Sequence, residues 1–309
     1  MAVAPPILQA GDTVGLVTLG SPLSAATIDA RIEVLRTTGL NVVIGNHVYD
    51  QDGFLAGTNE ERASDLMSMF ENEEVKLILA TRGGTGVAGI LPYLDYDVIR
   101  NNPKIVSGYS DITILLNVLY QYADLITLQS LMLIDFAPQT PAYNFDQFFN
   151  ATSTIQLTRQ ITNPPGIPQI SRIQGNVTGP LVGGNLASFM DSIGTPYEID
   201  VRDKIILLEE THEPTNTIYR YLNHLLLANK LQECAGIVMG ECTGCMEAYG
   251  VSYQQLIEEV IVPLGKPLMT NVTTAHGLYK AAIPIGATVN LNTYENTLTV
   301  IEPTVSAEQ

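Results

Sequence analysis

Positive charge is scarce in this chain. Fifteen Lys and Arg stand against 32 acidic side chains, a formal net charge of −17 over 309 residues. Such a surface repels a phosphate backbone and offers no basic patch whose counterions could be released, which excludes nucleic acid and anionic membrane as partners. Long apolar runs are missing too: nowhere do eighteen apolar residues follow one another, so no membrane-spanning helix is expected. The opening Met1-Ala-Val-Ala-Pro-Pro-Ile lacks the charged and apolar regions of a signal peptide, and a cytoplasmic location is expected. Three cysteines, an odd number, do not make a disulfide framework. Cys242-x-x-Cys245 has the spacing of half a zinc site or a redox pair, but no second pair exists, and the spacing reads as chance. No metal and no cofactor is expected. Tryptophan, the best stacking surface for adenine, is absent, although 14 tyrosines are present.

What is present is apolar: 46% of residues are hydrophobic and only 15% charged, a composition that folds into compact domains rather than a disordered tail. The length suits two domains. Strands are expected at Thr13–Leu19, Asn41–Ile44, Val75–Thr81 and Lys104–Ser107, separated by helices whose apolar residues recur at helical spacing, such as Ile28, Ile32 and Leu35. Strand sequences that are apolar throughout argue a parallel sheet covered on both faces. The rhythm breaks after Ser130. Residues 135–170 are rich in Pro, Asn, Thr and Gln and close with Asn163-Pro164-Pro165-Gly166-Ile167-Pro168, which continues no regular element. This divides the chain into an α/β domain over 1–150, a linker over 151–174 and a C-terminal domain over 175–309. The latter holds a strand at Lys204–Leu208, a helix with Ile218, Leu222, Leu225 and Leu226 on one stripe, and a terminal hairpin turning at Tyr294-Glu295-Asn296.

One corner combines two periodicities. Ile105-Val106-Ser107 ends a buried strand, and Ile112, Leu115, Leu116 and Leu119 begin a helical stripe, which leaves Ser110 on the turn between them. A strand-turn-helix serine with Gly108 ahead of it has the form of a nucleophile elbow; a serine at that place is also a common helix cap. Serine acyl transfer needs a base and usually a carboxylate that orients it. Of the four histidines, His47 follows a strand, His224 falls inside a helix, His212 sits in a polar turn, and His276 stands in the Gly-flanked loop Thr273-Thr274-Ala275-His276-Gly277, where catalytic residues tend to lie. Two acids, Glu209 and Glu210, end the apolar strand Ile205-Ile206-Leu207-Leu208, and composition does not choose between them. The order Ser, Glu, His is that of α/β-hydrolases. Gly84-x-Gly86-x-x-Gly89 matches a dinucleotide fingerprint, which would make the chain a nucleotide-binding module. It falls at the third strand rather than the first, and the same glycines could bring a backbone N–H to a developing oxyanion.

Taken in order, Phe54-Leu55-Ala56-Gly57-Thr58-x-Glu60-Glu61-Arg62, Arg82-Gly83-Gly84-x-Gly86, Pro103-Lys104-Ile105, Gly108-Tyr109-Ser110-Asp111-Ile112-Thr113, Gly183-Gly184-Asn185-Leu186, Leu208-Glu209-Glu210 and His276-Gly277 resemble the LD-carboxypeptidase family of serine peptidases, which includes microcin-immunity enzymes. The resemblance spans nearly the whole chain. It implies Ser110 as nucleophile, Glu209 as the acid and His276 as the base, with the N–H groups of Asp111 and Gly84 receiving the oxyanion. It implies an α/β N-terminal domain, a smaller C-terminal domain with a barrel-like sheet, no metal, and a homodimer. The expected reaction is hydrolysis of the L,D-amide before the C-terminal D-residue of a peptidoglycan tetrapeptide, a small peptide substrate; cleavage of a peptidyl or aminoacyl nucleotide is the alternative within the family. Departures fall at Thr85, where the family often has Tyr, at Gln129-Ser130-Leu131, where it has His-Gly-Pro, and near Thr217, where an arginine is missing although Arg220 remains. These positions are expected to line the substrate side. A carboxypeptidase must also hold a free carboxylate, and with so few cations the candidates are Arg82 and Arg220.

Overall fold

The structure, a computed structural model, describes residues 2–307. Its first sheet is built by β1 (Thr13–Val17), β2 (Asn41–Ile44), β3 (Val75–Ala80), β4 (Ile105–Gly108) and β5 (Thr127–Gln129), all parallel, in the order β5-β4-β3-β1-β2. Alternate residues of one strand feed different cores. On β3, Ile78 and Ala80 join helices α2 (Asn59–Glu71) and α4 (Thr113–Ala123), whereas Leu77 and Leu79 join α1 (Ala25–Arg36) and α5 (Ala142–Thr152). The sheet is therefore covered on both faces, as its unbroken apolar strands require. Helix α3 (Tyr96–Asn101) closes the connection between β3 and β4.

The second sheet has eight strands and curls into a half-barrel. It comprises β6 (Arg159–Gln160), β7 (Ile170–Ile173), β8 (Asn176–Asn185), β9 (Ile205–Thr211), β10 (Gly236–Thr243), β11 (Leu268–Val272), and, after the short β12 (Ile283–Ile285), β13 (Thr288–Asn292) and β14 (Thr297–Val300), in the order β6-β14-β13-β8-β9-β10-β11-β7. Strands β8 to β11 run parallel, and β13 and β14 form the expected terminal hairpin. Strand β9 alternates like β3: Ile205 and Leu207 face the core shared with the first sheet, and Ile206 and Leu208 face α6 (Leu186–Met190) and α7 (Thr215–Leu227). Strand β12 does not stay with its neighbours; it pairs antiparallel with β5 and becomes an edge of the first sheet.

Two readings of the sequence are corrected. Residues 135–170 are not wholly irregular, because α5 runs through them and buries Phe148 and Ala151, with Phe145 and Phe149 packed alongside. Cys242 and Cys245 are joined as a disulfide at the end of β10, so their spacing is not chance; Cys234 stays free and buried. Among the described residues no helix is long and apolar enough to cross a membrane.

Candidate active site

Strand order reverses between β1 and β3, and in an open parallel sheet the crevice beyond the carboxyl ends of such strands is where ligands bind. The loops after β1 and β3 meet there. Ser21 N–H donates to the Gly83 carbonyl (3.1 Å), and Thr85 N–H donates to Ser21 Oγ (3.1 Å). Buried Arg62 ties the loops from behind: its guanidinium donates to the carbonyls of Leu19, Gly57 and Gly86 and to Asn59 Oδ1.

Ser110 follows β4, the strand next to β3, at φ 63°. That left-handed conformation is costly for a residue with a Cβ and is the mark of a turn held open by its surroundings. The side chain caps no helix, since neither the 3₁₀ turn Ser110–Ile112 nor α4 has a side-chain cap hydrogen bond, so the capping role is excluded. The glycine loop presses on it: a Cβ at Gly83 would lie 2.7 Å from Ser110 Cβ and 3.0 Å from both Ser110 Oγ and the Asp111 nitrogen. Only glycine allows that approach. Gly84, at φ 95°, is next in the same loop. The Asp111 carboxylate turns away and accepts the N–H of Val87 (2.8 Å), and burial pushes its pKa up to about 6.

The β9 alternation separates the two glutamates. Glu209 continues the Ile205–Leu207 face and is 1% exposed; its Oε2 lies 2.8 Å from His276 Nδ1, on the loop after β11. Glu210 continues the opposite face, where it accepts from Asn185 Nδ2 (2.9 Å), Ala187 N–H (2.8 Å) and Thr211 N–H (2.8 Å), and so holds the start of α6. The other histidines lie elsewhere: His47 pairs with Asp50, His212 bonds Thr211 Oγ1, and His224 is exposed on α7.

The His276 loop is held by side chains that spacing did not single out. Lys280, buried, donates through Nζ to the carbonyls of Ala275 (2.5 Å) and Gly277 (2.8 Å) and lies 3.8 Å from Asp135. Asp135 accepts the Tyr109 hydroxyl (3.2 Å) and the Met132 N–H (2.9 Å). The Tyr109 ring stands edge-to-face to His276 with centroids 5.2 Å apart, and Lys280 Nζ lies 5.0 Å from its centre. Burial raises the pKa of both Tyr109 and Asp135. The signal available in the sequence was a lysine in a mostly apolar stretch four residues after His276, where an unpaired charge would be expensive.

The match to known proteins covers both halves of the chain. Residues 14–130 match the LD-carboxypeptidase N-terminal domain, and residues 178–291 match the LD-carboxypeptidase C-terminal domain. The probable murein peptide carboxypeptidase of Bacillus subtilis is 36% identical over 311 residues, covering 98% of this chain and 95% of its own. The chain belongs to the LD-carboxypeptidase family. The murein tetrapeptide carboxypeptidase of Pseudomonas aeruginosa, a further relative, is 25% identical over 90% of this chain and 92% of its own. Among solved structures, the microcin C7 self-immunity protein MccF in its inactive-mutant apo state superposes with a TM-score of 0.92 at 23% identity, over 98% of this chain and 99% of that one, and shares the mixed α/β fold. Membership makes the chain a serine-type hydrolase of the carboxypeptidase kind.

The family's glycine run is filled by the protein itself. A Cβ at Gly84 would lie 2.4 Å from Ser21 Oγ, at Gly86 2.5 Å from Leu55 Cδ2, and at Gly89 2.6 Å from Asn59 Oδ1. These glycines serve close packing of the chain on itself, and a 3₁₀ turn, Val87–Tyr93, begins after Gly86 and contains Gly89, in place of the α-helix that a pyrophosphate would cap. Arg82 is half-buried, its Nη1 3.4 Å from the Pro22 carbonyl, and its charge acts on Tyr109. Arg220 is exposed on α7, away from the face that α7 buries. Of the departures, Thr85 is exposed and Thr217 half-buried, but Gln129, Ser130 and Leu131 are fully buried, with Gln129 Nε2 reaching Thr274 Oγ1 (3.4 Å) behind the His276 loop. These three line the interior, which corrects the expectation that they face substrate.

Proposed function

We propose that the chain is a carboxypeptidase that cleaves the amide between an L-centre and a terminal D-residue in peptidoglycan tetrapeptides, with Ser110 as nucleophile, His276 as base and Glu209 as the acid that orients it. The observation that carries this reading is the Glu209–His276 hydrogen bond. With Nδ1 engaged by a buried carboxylate, the imidazole presents Nε2 as the free acceptor, the tautomer a general base needs, and the imidazolium formed on proton transfer meets a negative partner. His276 takes the Ser110 proton as Oγ attacks the carbonyl. The N–H groups of Asp111 and Gly84 receive the oxyanion, which the close approach of the Gly83 backbone to Ser110 supports. His276 then protonates the leaving D-amino acid, and water resolves the acyl-enzyme. Arg82 holds the terminal carboxylate from the loop side of the sheet, and Arg220, exposed on α7, is the second cation on offer. The names of the Bacillus and Pseudomonas relatives support the murein substrate.

The test is an assay of purified protein on tetrapeptides carrying diaminopimelate or lysine at the third position, alongside an aminoacyl sulfamoyl adenosine and labelling by a fluorophosphonate. Release of D-alanine with labelling at Ser110 is the expected result. Cleavage of the nucleotide alone would replace the substrate while keeping the chemistry, and no labelling would overturn the nucleophile.

A further inference from the structure

Among the described residues, one carboxylate near His276 has no hydrogen-bond partner. Glu241 lies on β10, the strand beside β9, and is half-buried. Its Oε2 is shut off from solvent and makes no hydrogen bond among the described residues. The carboxylate packs on the backbone of the residue that follows His276: a Cβ at Gly277 would lie 1.9 Å from Glu241 Oε2, so the missing side chain there is what gives the acid its place. A carboxylate oxygen held this way loses its hydration with nothing in return, an arrangement that folded proteins keep at functional sites rather than in plain structure.

The protein's own cation does not answer it. Lys280 is the basic group whose charge acts on Glu241, but two of its protons are given to the carbonyls of Ala275 and Gly277, and its near acid is Asp135. The other charge acting on Glu241 is Glu209, of the same sign. The surroundings of the His276 turn thus carry surplus negative charge, one part of it fixed on the imidazole and the other, Glu241, unmatched.

We propose that Glu241 is an ammonium-binding subsite that takes the side-chain amine of the diamino acid on the acyl side of the scissile amide. The proposal rests on the reading of the chain as an L,D-carboxypeptidase, whose substrate class carries a diamino acid at that position. The ammonium supplies up to three N–H donors to a half-buried carboxylate that has none, and its charge offsets the repulsion between Glu241 and Glu209. The subsite selects the residue whose carbonyl is attacked, whereas Arg82 and Arg220 concern the leaving residue.

The experiment compares a peptide ending in L-lysyl-D-alanine with its L-norleucyl analogue, which has the same four-carbon stem without the ammonium. Wild type should favour the lysyl peptide by roughly tenfold or more in kcat/KM, mostly through KM, the size expected of a hydrogen bond between charged groups. Glu241→Gln should bring the lysyl peptide down to the norleucyl level while leaving the norleucyl peptide unchanged, which also shows that the variant folds. No preference in wild type, or an equal loss on both peptides in Glu241→Gln, overturns the subsite and makes Glu241 a support of the Gly277 turn. Binding of the two peptides to Ser110→Ala by calorimetry, with and without Glu241→Gln, separates this from the reaction itself. A lysine preference in Kd that Glu241→Gln abolishes keeps the subsite even if wild type cleaves neither peptide, an outcome that would sink the proposed reaction alone. Equal binding, or none, overturns the subsite.

Discussion

Glu209 and Glu210 are neighbours in β9 whose carboxylates do opposite jobs: one accepts from His276 Nδ1 at 2.8 Å, and the other holds Asn185, Ala187 and Thr211 on the far face of the sheet. Glu209→Gln keeps the shape but offers an amide that can stabilise the wrong tautomer of His276, so kcat should fall by about 10⁴ with the circular dichroism spectrum unchanged. Glu210→Gln should leave kcat within a few-fold, because its damage is to the start of α6. Its thermal midpoint should drop, because the amide offers one acceptor oxygen where the carboxylate offers two, and its NH2 would face an N–H that Glu210 now accepts. Swapped outcomes in the two assays would reassign the acid.

Ser110 separates catalysis from strain. Ser110→Ala and Ser110→Gly should both lose on the order of 10⁶ in kcat, the scale typical of removing a nucleophile. Their stabilities should differ. Alanine keeps the penalty of φ 63°, while glycine adopts it freely, so the glycine variant should be more stable than the alanine variant by about 1 kcal/mol in urea unfolding. Equal stability would mean that the turn is not strained by its side chain.

How much of this arrangement the sequence revealed depends on whether the signal was local. Alternation along a strand is local, and it required that only one of Glu209 and Glu210 face the shared core; which one followed from counting back to Ile205 and Leu207 once their core was known. The switch of period at Ser110 was equally local. Helix α5 was missed because Asn144, Asp146, Gln147 and Asn150 dominate its composition while its apolar contacts come from buried Phe148 and Ala151 with Phe145 and Phe149 packed alongside, and Pro141 ahead of it reads as a breaker although it is the residue before the first turn. Strand β12 has three residues, one of them Pro284, and its partner β5 lies more than a hundred residues earlier; proline is tolerated because β12 is an edge. The Cys242–Cys245 bond and the Lys280–Asp135 contact need side chains to meet in space, which spacing alone does not report.

Lys280 and Asp135 should behave as one unit. Lys280→Met strips the carbonyls of Ala275 and Gly277 of their donor and leaves Asp135 buried without its cation, so stability should fall by about 3–5 kcal/mol, with activity falling as the His276 loop loosens. Asp135→Asn in the same background should recover part of that loss, because the uncompensated charge is gone. A double-mutant cycle measured by urea unfolding checks the coupling; strict additivity would mean that the 3.8 Å contact carries no energy.

Asp111 gives the fold a pH dependence of its own. Burial raises its pKa from an ordinary value of 3.8 to about 6, so in the window between these values the folded chain holds a proton that the unfolded chain has released. Stability rises with pH only where the unfolded state binds more protons; here the folded state does, and the Asp111 contribution must therefore fall as pH rises through about 4 to 6 and stay low above it. Asp111→Asn cannot titrate, yet its amide oxygen can still accept from the Val87 N–H. The stability of the asparagine variant relative to wild type should thus climb across that window and level off by about pH 7. Chemical denaturation at intervals of half a pH unit measures the difference directly. A flat difference would mean that the Asp111 carboxyl keeps its ordinary ionisation beside Ser110, and that the Val87 and Gly86 N–H groups, which favour the charged form, cancel the effect of its burial.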